Sequence, residues 1–556
     1  MMKNKIRILL IVAISIVSFS SCSDAIDIVQ DGERNNTDDV YRNPEDVRRG
    51  LNGIYNSLPG EGEIEFVSVF TDEVALGISN GGQGLIGGEY GFFMLTGNAF
   101  ASSTWGGYYG IINRINRLFE ISEDLSEDLP LEEVNKLKAI EAELYSLRAY
   151  AHFKLFAYFT PDYTNPSGQS IIILDHVPSK AFDEFLGRST VEEVSQFIFD
   201  DLTRSDEARQ DSGTGWSTEQ FYVNSVFNKT VKLHLYSMLG NNPDEVIALG
   251  TQILNSPGYG IADASEYEEI FPSDTTDPSE ETSPNKEIIF KLKRTVNGGG
   301  AVAAAWYSVD VSGTGSAFYE MGRSLYNDLD ALDPSLQGHQ LHDYNSQGQI
   351  TDSYWRADVR YNVNIDEDTR VATNYQDLSP SQYSSADRLF IGKYQGRLGA
   401  VLQNDIPVFR SADVLLAIAE ARAAKGELNT TASPEDIISN ADYADVQSIL
   451  FYLRFYRWTG DATQIPFPQT FSSAQEAYAA ILNERRVELA FEGKRYLDMK
   501  RIGAKAGSPG FQRDDMDCAV NGACLLPISD YRMTLPIPAS EINANPVIRE
   551  QQNPGY

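Results

Sequence analysis

The sequence predicts a mainly α-helical fold with one loop-rich interruption. Three observations carry this. Helix starts are punctuated by capping residues, twice with proline at the first helical position. One segment, from about 131 to 158, keeps apolar residues at three- and four-residue steps throughout. The stretch from about 257 to 400 is instead rich in Gly, Ser, Thr, Asp and Tyr and shows little helical periodicity.

Residues 1–21 precede the fold. Lys3, Lys5 and Arg7 lead into the apolar run "ILLIVAISIVSF", too short to span a bilayer comfortably, which reads as a secretory signal. It ends in "SFSSC", small residues before a cysteine, so Cys22 is the expected lipidation site. Residues 22–41 are then a polar tether, and 42–556 a single domain.

The first helix follows Asn43 as N-cap, with Pro44 at the first position and Val47, Leu51 and Ile54 along one face. A second is expected over "WGGYYGIINRINRLFEI". The third carries Leu137, Ile140, Leu144, Leu147, Ala151 and Leu155 as a buried stripe. Thr190 and Glu193 form a capping box before the next, and further helices fit about 219–239 and 243–254. In the middle region, "EIIFKL" and "RLFIGKY" suit short strands. Helices return over "PVFRSADVLLAIAEARAAKG", terminated by Gly426, after Ser433 with Pro434, and after a second capping box, Ser473 with Glu476. The scaffold therefore covers about 42–256 and 405–505, the loop-rich region about 257–400, and a C-terminal loop-rich segment 506–556. Small residues at close contacts (Ala142, Ala149, Ala419, Ala421) suggest stacked hairpins of the tetratricopeptide kind, although no clean repeat period is visible.

Composition excludes several functions. The 556 residues are 42% hydrophobic and carry a formal net charge of -34, which repels nucleic-acid phosphates. Three cysteines (Cys22, Cys518, Cys524) cannot build a cysteine metal cluster, and His339 and His342 read as a solvated loop pair, so no metal or cofactor is expected. Cys518 and Cys524 bracket the short loop "CAVNGAC" and are expected to form a disulfide in an exported protein. No nucleophile elbow or phosphate loop is present. Glu484, Glu488 and Glu492 share one helix face, and Arg485, Arg486, Arg495 and Arg501 are at hand to compensate them. The cluster reads as a structural ion-pair network, because carboxylates held by arginine stay ionised and make poor general acids.

The segments "RSADVLLAIAEARA", "ILNERRVELAFEGKRYLDMKRIG" and "LPIPASEINANPVIREQQNPGY", together with "GLNGIYNSL" and "EAELYSLRAYAHFKLFAYF", resemble the SusD/RagB family of outer-membrane nutrient-binding lipoproteins. The resemblance implies a SusD-like fold, tetratricopeptide-like hairpins with a loop-rich ligand face. It implies a surface-exposed, lipid-anchored protein of the outer membrane that binds a glycan without chemistry. A SusC-like TonB-dependent transporter is the implied partner. Two other functions stay open: RagB-like oligopeptide binding and, more remotely, a surface glycosidase. Flat aromatic rings stack on sugar C–H faces, so the candidate ligand residues are Trp355, Tyr354, Trp306 and Tyr307 in the loop-rich region. The family's early loops and helix add Asp72 and Trp105, with Tyr90 and Phe92 nearby. Core packing is the competing role for each aromatic. Asp358 and Arg360 resemble the family's D-x-R motif.

Overall fold

A computed structural model describes residues 41–556 other than 86, 179–184, 272–283, 295–301, 303–305, 310–314, 348, 373, 380–381, 384–385, 398–399, 402 and 442. The expected leading segment, 1–21, the lipidation site Cys22 and the tether up to residue 40 lie outside the described residues.

The chain is mainly α. The first half contributes α1 (Pro44–Asn56), α2 (Glu61–Phe70), α3 (Ala99–Ser126), α4 (Leu131–Phe159), α5 (Val191–Asp211), α6 (Ser225–Leu239), α7 (Pro243–Leu254) and α8 (Ala264–Ile270). Short connections fold α3 back on α4 and α6 back on α7, and α4 packs between α3 and α5. Later come α9 (Arg323–Asp330), α10 (Val359–Asn364), α11 (Ser411–Lys425), α12 (Pro434–Asn440), α13 (Val446–Tyr456) and α14 (Ala474–Glu488), with α11 packed on α7, α13 and α14. Among the described residues, no helix is long and apolar enough to cross a membrane.

The caps are where the sequence puts them. Asn43 accepts from the Asp46 amide at 3.2 Å ahead of Pro44, and Thr190 and Glu193 close a full capping box. Gly426 ends α11 at φ 76°, the left-handed region that glycine enters without steric cost. At Ser473 only half of the expected box forms. Its hydroxyl caps Glu476, but the Glu476 carboxylate turns to the amide and hydroxyl of Ser472 instead.

The strands pair two by two, all antiparallel. β1 (Val74–Leu76) pairs with β5 (Tyr319–Met321), β3 (Tyr307–Val309) with β4 (Gly315–Ala317), and β6 (His342–Tyr344) with β7 (Ile350–Ser353). "EIIFKL" becomes β2 (Ile288–Leu292). Its partner is β8 (Ile406–Arg410), residues expected to open a helix; Pro407 and the bulge at Phe409 suit a two-stranded edge, and α11 begins only at Ser411. "RLFIGKY" is not a strand: it makes only the single bridges Arg370↔Arg388 and Ile365↔Ile391. Helix α2 was not expected. Its C-terminal half, residues 66–70, is buried throughout, so it lacks the continuous polar stripe that marks a surface helix.

Candidate functional site

The loop-rich region is held on α14 by buried charge. Glu484 accepts from Arg360 Nη1 at 2.5 Å and Arg454 Nη2 at 2.6 Å. Glu488 accepts from Arg410 at 3.0 Å and Arg457 at 2.9 Å, and Glu492 from Lys393 and Arg410, both at 2.8 Å. Burial acts to raise the Glu488 carboxyl, but Arg457 and Arg410 outweigh it and pull it down to about 2. The network is structural, as expected, but its cations differ. Arg485 faces Asp413 and Asp498, Arg486 faces Asp328, and Arg501 faces Glu420. The reason is direction: adjacent helix positions point apart, so each carboxylate meets cations from other segments. Asp358 and Arg360 join this network, the aspartate capping α10 while gripping the guanidinium at 2.9 and 2.6 Å.

Four of the expected ligand residues prove to be scaffold or stand outside the described side chains. Asp72 is buried and takes two 2.9 Å bonds from Arg495. Burial opposes its ionisation, but Arg486 and Arg495 hold it below the usual carboxylate range. It is therefore committed to the scaffold arginines and barely presented to solvent. Trp105 lies in the core, edge-on to Phe159, its indole nitrogen 3.3 Å from Glu541. Trp306 is 1% exposed and packs on Phe491. Tyr307 opens β3, and its side chain lies outside the described residues. Tyr90 and Phe92 are also core.

Trp355 and Tyr354 stand differently. Trp355 is 41% exposed, and the other four tryptophans are buried or partly buried. It follows directly on the β6–β7 hairpin, edge-on to the His342 ring with centroids 6.0 Å apart. His342 is fixed by Ser353 Oγ and the Glu367 carbonyl, each at 2.9 Å. Half-buried Tyr354 bonds Asp343 at 2.8 Å and sits beside the His339 ring, so of this adjacent pair Tyr354 anchors and Trp355 projects.

The same face extends through residues that sequence reasoning did not single out. Exposed Arg370 lies over the Tyr344 ring, 4.0 Å from its centroid. Arg370 bridges to Arg388, and Leu389 bonds back to β5 through Met321. The β5 partner β1 leads into the loop holding Ile78 and Asn80, tied to β4 by Ser79 and Ala317. Glu320 cross-links these loops, accepting from the amides of Leu389 and Ile78. Burial pushes its carboxyl up to about 8. Among the described residues, the buried Tyr344 hydroxyl, Arg388 Nε and Asn80 side-chain amide have no hydrogen-bond partner. The arrangement is a rim with one projecting indole and one exposed, stacked guanidinium, suited to holding a polar ligand against an aromatic face. No local sequence signal marks it, because its parts come from four separated segments.

Cys518 and Cys524 are joined, with Cα atoms 5.1 Å apart. Asp515 lies beside them, but bonded sulfurs offer no thiolate to a metal.

Comparison with known proteins places these features in context. A family model described as the SusD family matches residues 286–556, and one described as "Starch-binding associating with outer membrane" matches residues 94–213. A SusD-like protein P2 from Formosa agariphila is 24% identical over 547 residues, covering 93% of each chain. Among solved structures, a SusD superfamily protein from Bacteroides thetaiotaomicron aligns with a TM-score of 0.67 at 23% identity, covering 92% of this chain and 100% of that one. A laminarin-binding SusD-like protein aligns with a TM-score of 0.60 at 18% identity, covering 93% of this chain and 100% of that one. Those two structural likenesses concern the fold.

Proposed function

This chain belongs to the SusD/RagB family, and we propose that it is a lipid-anchored outer-membrane protein that captures oligo- or polysaccharide at the cell surface. It then delivers the glycan to a SusC-like TonB-dependent transporter. The observation that carries this is Trp355, an indole 41% exposed on an acidic protein, backed by His342 and close to the Arg370–Tyr344 stack. Exposing so large an apolar ring costs solvation free energy that a stacked sugar recovers. Two relatives support a glycan over a peptide: the family model described as starch-binding, and the structural neighbour described as laminarin-binding. Capture here needs no catalysis. The three glutamates that line up on the ERR segment are each neutralised by arginine or lysine, which leaves none as a general acid.

The test is retention of the full-length protein on immobilised starch, immobilised laminarin and an immobilised peptide pool, with the soluble phase assayed for new reducing ends. Retention on a polysaccharide with no product released is expected. Retention on peptides alone would transfer the assignment to oligopeptides, and released reducing ends would make the protein a glycosidase. Mild detergent extraction of outer membranes should recover it with a partner of transporter size; repeated recovery alone would remove the delivery step.

A further inference from the structure

Helix α2 has a ligand-sized cleft at its other end. The face around Ile78 and Asn80 lies beyond its C-terminus, whereas its N-terminus opens on a cleft of about 680 Å³. Helix α2 itself is ten residues, about 15 Å, long. Small-molecule sites occupy about 300–1,000 Å³, so the cleft is large enough for a short oligosaccharide. Its walls come from the α1–α2 turn, α3, α4 and the residues after β2.

The chemistry of the wall is specific. Lys154 and Tyr158, both buried, donate to the same oxygen of Glu63, Oε1. Glu63 Oε2 receives no donor from the described residues, so the carboxylate is held rigidly with one acceptor to spare. Opposite it, Arg294 clasps both oxygens of Glu61 through Nε and Nη2 and also donates to the Leu58 carbonyl. Each acid of the wall thus has its own cation, and Lys293 also lines the cleft, so a guest rich in hydroxyls meets acceptors and donors together. Phe100, Tyr108 and Tyr158 back the wall from the core, with Phe100 edge-on to Tyr158 at 5.5 Å. A rigidly held carboxylate acceptor and a guanidinium in one cleft are groups that hydrogen-bond sugar hydroxyls.

From this we infer that the cleft is a second saccharide site, apart from Trp355, so that a polymer long enough to reach both can be held at two places. The inference rests on the glycan reading above. Two linked sites raise the avidity for a polymer without new contacts at either, by making the second encounter intramolecular. A short fragment, unable to reach both, occupies them independently.

The experiment is calorimetric titration of maltotriose and of laminaritriose into the full-length protein. Two sites are expected for the trisaccharide that binds. Gly62→Trp fills the cleft, and a side chain there starts in open space, since an added Cβ meets no atom within 4 Å. Ser103→Trp fills it from exposed α3, and melting curves confirm that both variants fold. Either filler should weaken one site at least tenfold and spare the other, while Trp355→Ala should do the reverse. A single site lost in a filler but kept in Trp355→Ala also supports the cleft. A single site lost in Trp355→Ala and unmoved by both fillers overturns the second site and leaves the glycan reading standing. Binding of neither trisaccharide overturns both.

Discussion

The Trp355 ring meets the His342 ring edge to face, planes at 85°, with the indole on the solvent side. The imidazole is held at both nitrogens, so it fixes the ring that Trp355 leans on. Trp355→Ala therefore removes a ligand surface and very little core. Its unfolding free energy should stay within about 0.5 kcal/mol of wild type, as for other exposed positions. Its glycan affinity should fall about thirtyfold, on the order of 2 kcal/mol. Calorimetric titration beside a denaturant melt separates the two. Equal affinity in a folded variant would remove Trp355 from the site.

Glu488 tests the scaffold. It is fully buried and takes bonds from Arg410 and Arg457, which also share Glu287. Glu488→Gln leaves two buried guanidinium groups under-compensated, and breaking such a pair costs about 3–5 kcal/mol. Glu132, whose side chain is 87% exposed beside Lys136, is the control, and Glu132→Gln should change stability by no more than about 0.5 kcal/mol. A loss at Glu488 no larger than at Glu132 would mean that the network does not hold the fold.

These two sites differ in how far the sequence exposes them. Caps and stripes act within one turn or one helix face, so Asn43, Thr190, Gly426 and the α4 stripe were legible from local spacing. The acids of the ERR segment were legible as an ion-pair network, but their partners were not, because Arg360, Arg410 and Arg457 arrive from 124, 78 and 31 residues away. Exposure is the least local property. Trp306 and Trp355 stand in similar loop-rich sequence, yet one lies on Phe491 and the other in solvent. Asp72 follows α2 as a ligand residue might, but Arg495 reaches it across 423 residues.

Lipidation is a prediction from the leading segment alone. With Cys22→Ala, the apolar run still directs export, but no acyl chain can be attached. The variant should leave the membrane fraction and lose metabolic lipid label. Unchanged membrane retention with unchanged label would exclude Cys22 as the anchor.

The disulfide supports the same loops from below. Beside Cys518, the Asp517 carboxylate accepts from the Tyr383 hydroxyl at 2.6 Å and the Arg323 amide at 2.8 Å, and its carbonyl accepts from Tyr90. Closing so short a loop contributes roughly 2 kcal/mol on the chain-entropy model. Cys518→Ser with Cys524→Ser should lose about that much in a denaturant melt, and wild type in reductant should match the double variant. Two reactive thiols in the unreduced wild type would remove the bond itself.

Three buried carboxyls near this region give stability an unusual pH dependence. Burial pushes Glu320 up to about 8, Glu73 to about 7 and Asp517 to about 6. Each lies above its ordinary value, so the folded state holds protons that the unfolded chain has released. That contribution is complete below the ordinary carboxylate range and is lost as pH rises through the folded values. Glu488 and Asp72 run the other way, but their contributions change only below about pH 5, between the ordinary carboxylate range and their lowered folded values. Between pH 6 and 8.5 the raised carboxyls make stability fall with rising pH, opposed by buried His152, His234 and Lys500, whose proton affinities burial lowers; a tenfold difference in proton affinity between the folded and unfolded chain is worth about 1.4 kcal/mol. Glu320 sets the upper end of the window and ties the Ile78 and Leu389 amides together as it does so. Glu320→Gln keeps an acceptor there but cannot ionise, so the variant should lose the upper part of the slope and gain on wild type at pH 8.5. Denaturant midpoints of both proteins at pH 6, 7 and 8.5 measure this directly. A Glu320→Gln profile parallel to that of wild type would show that Glu320 is not the proton holder.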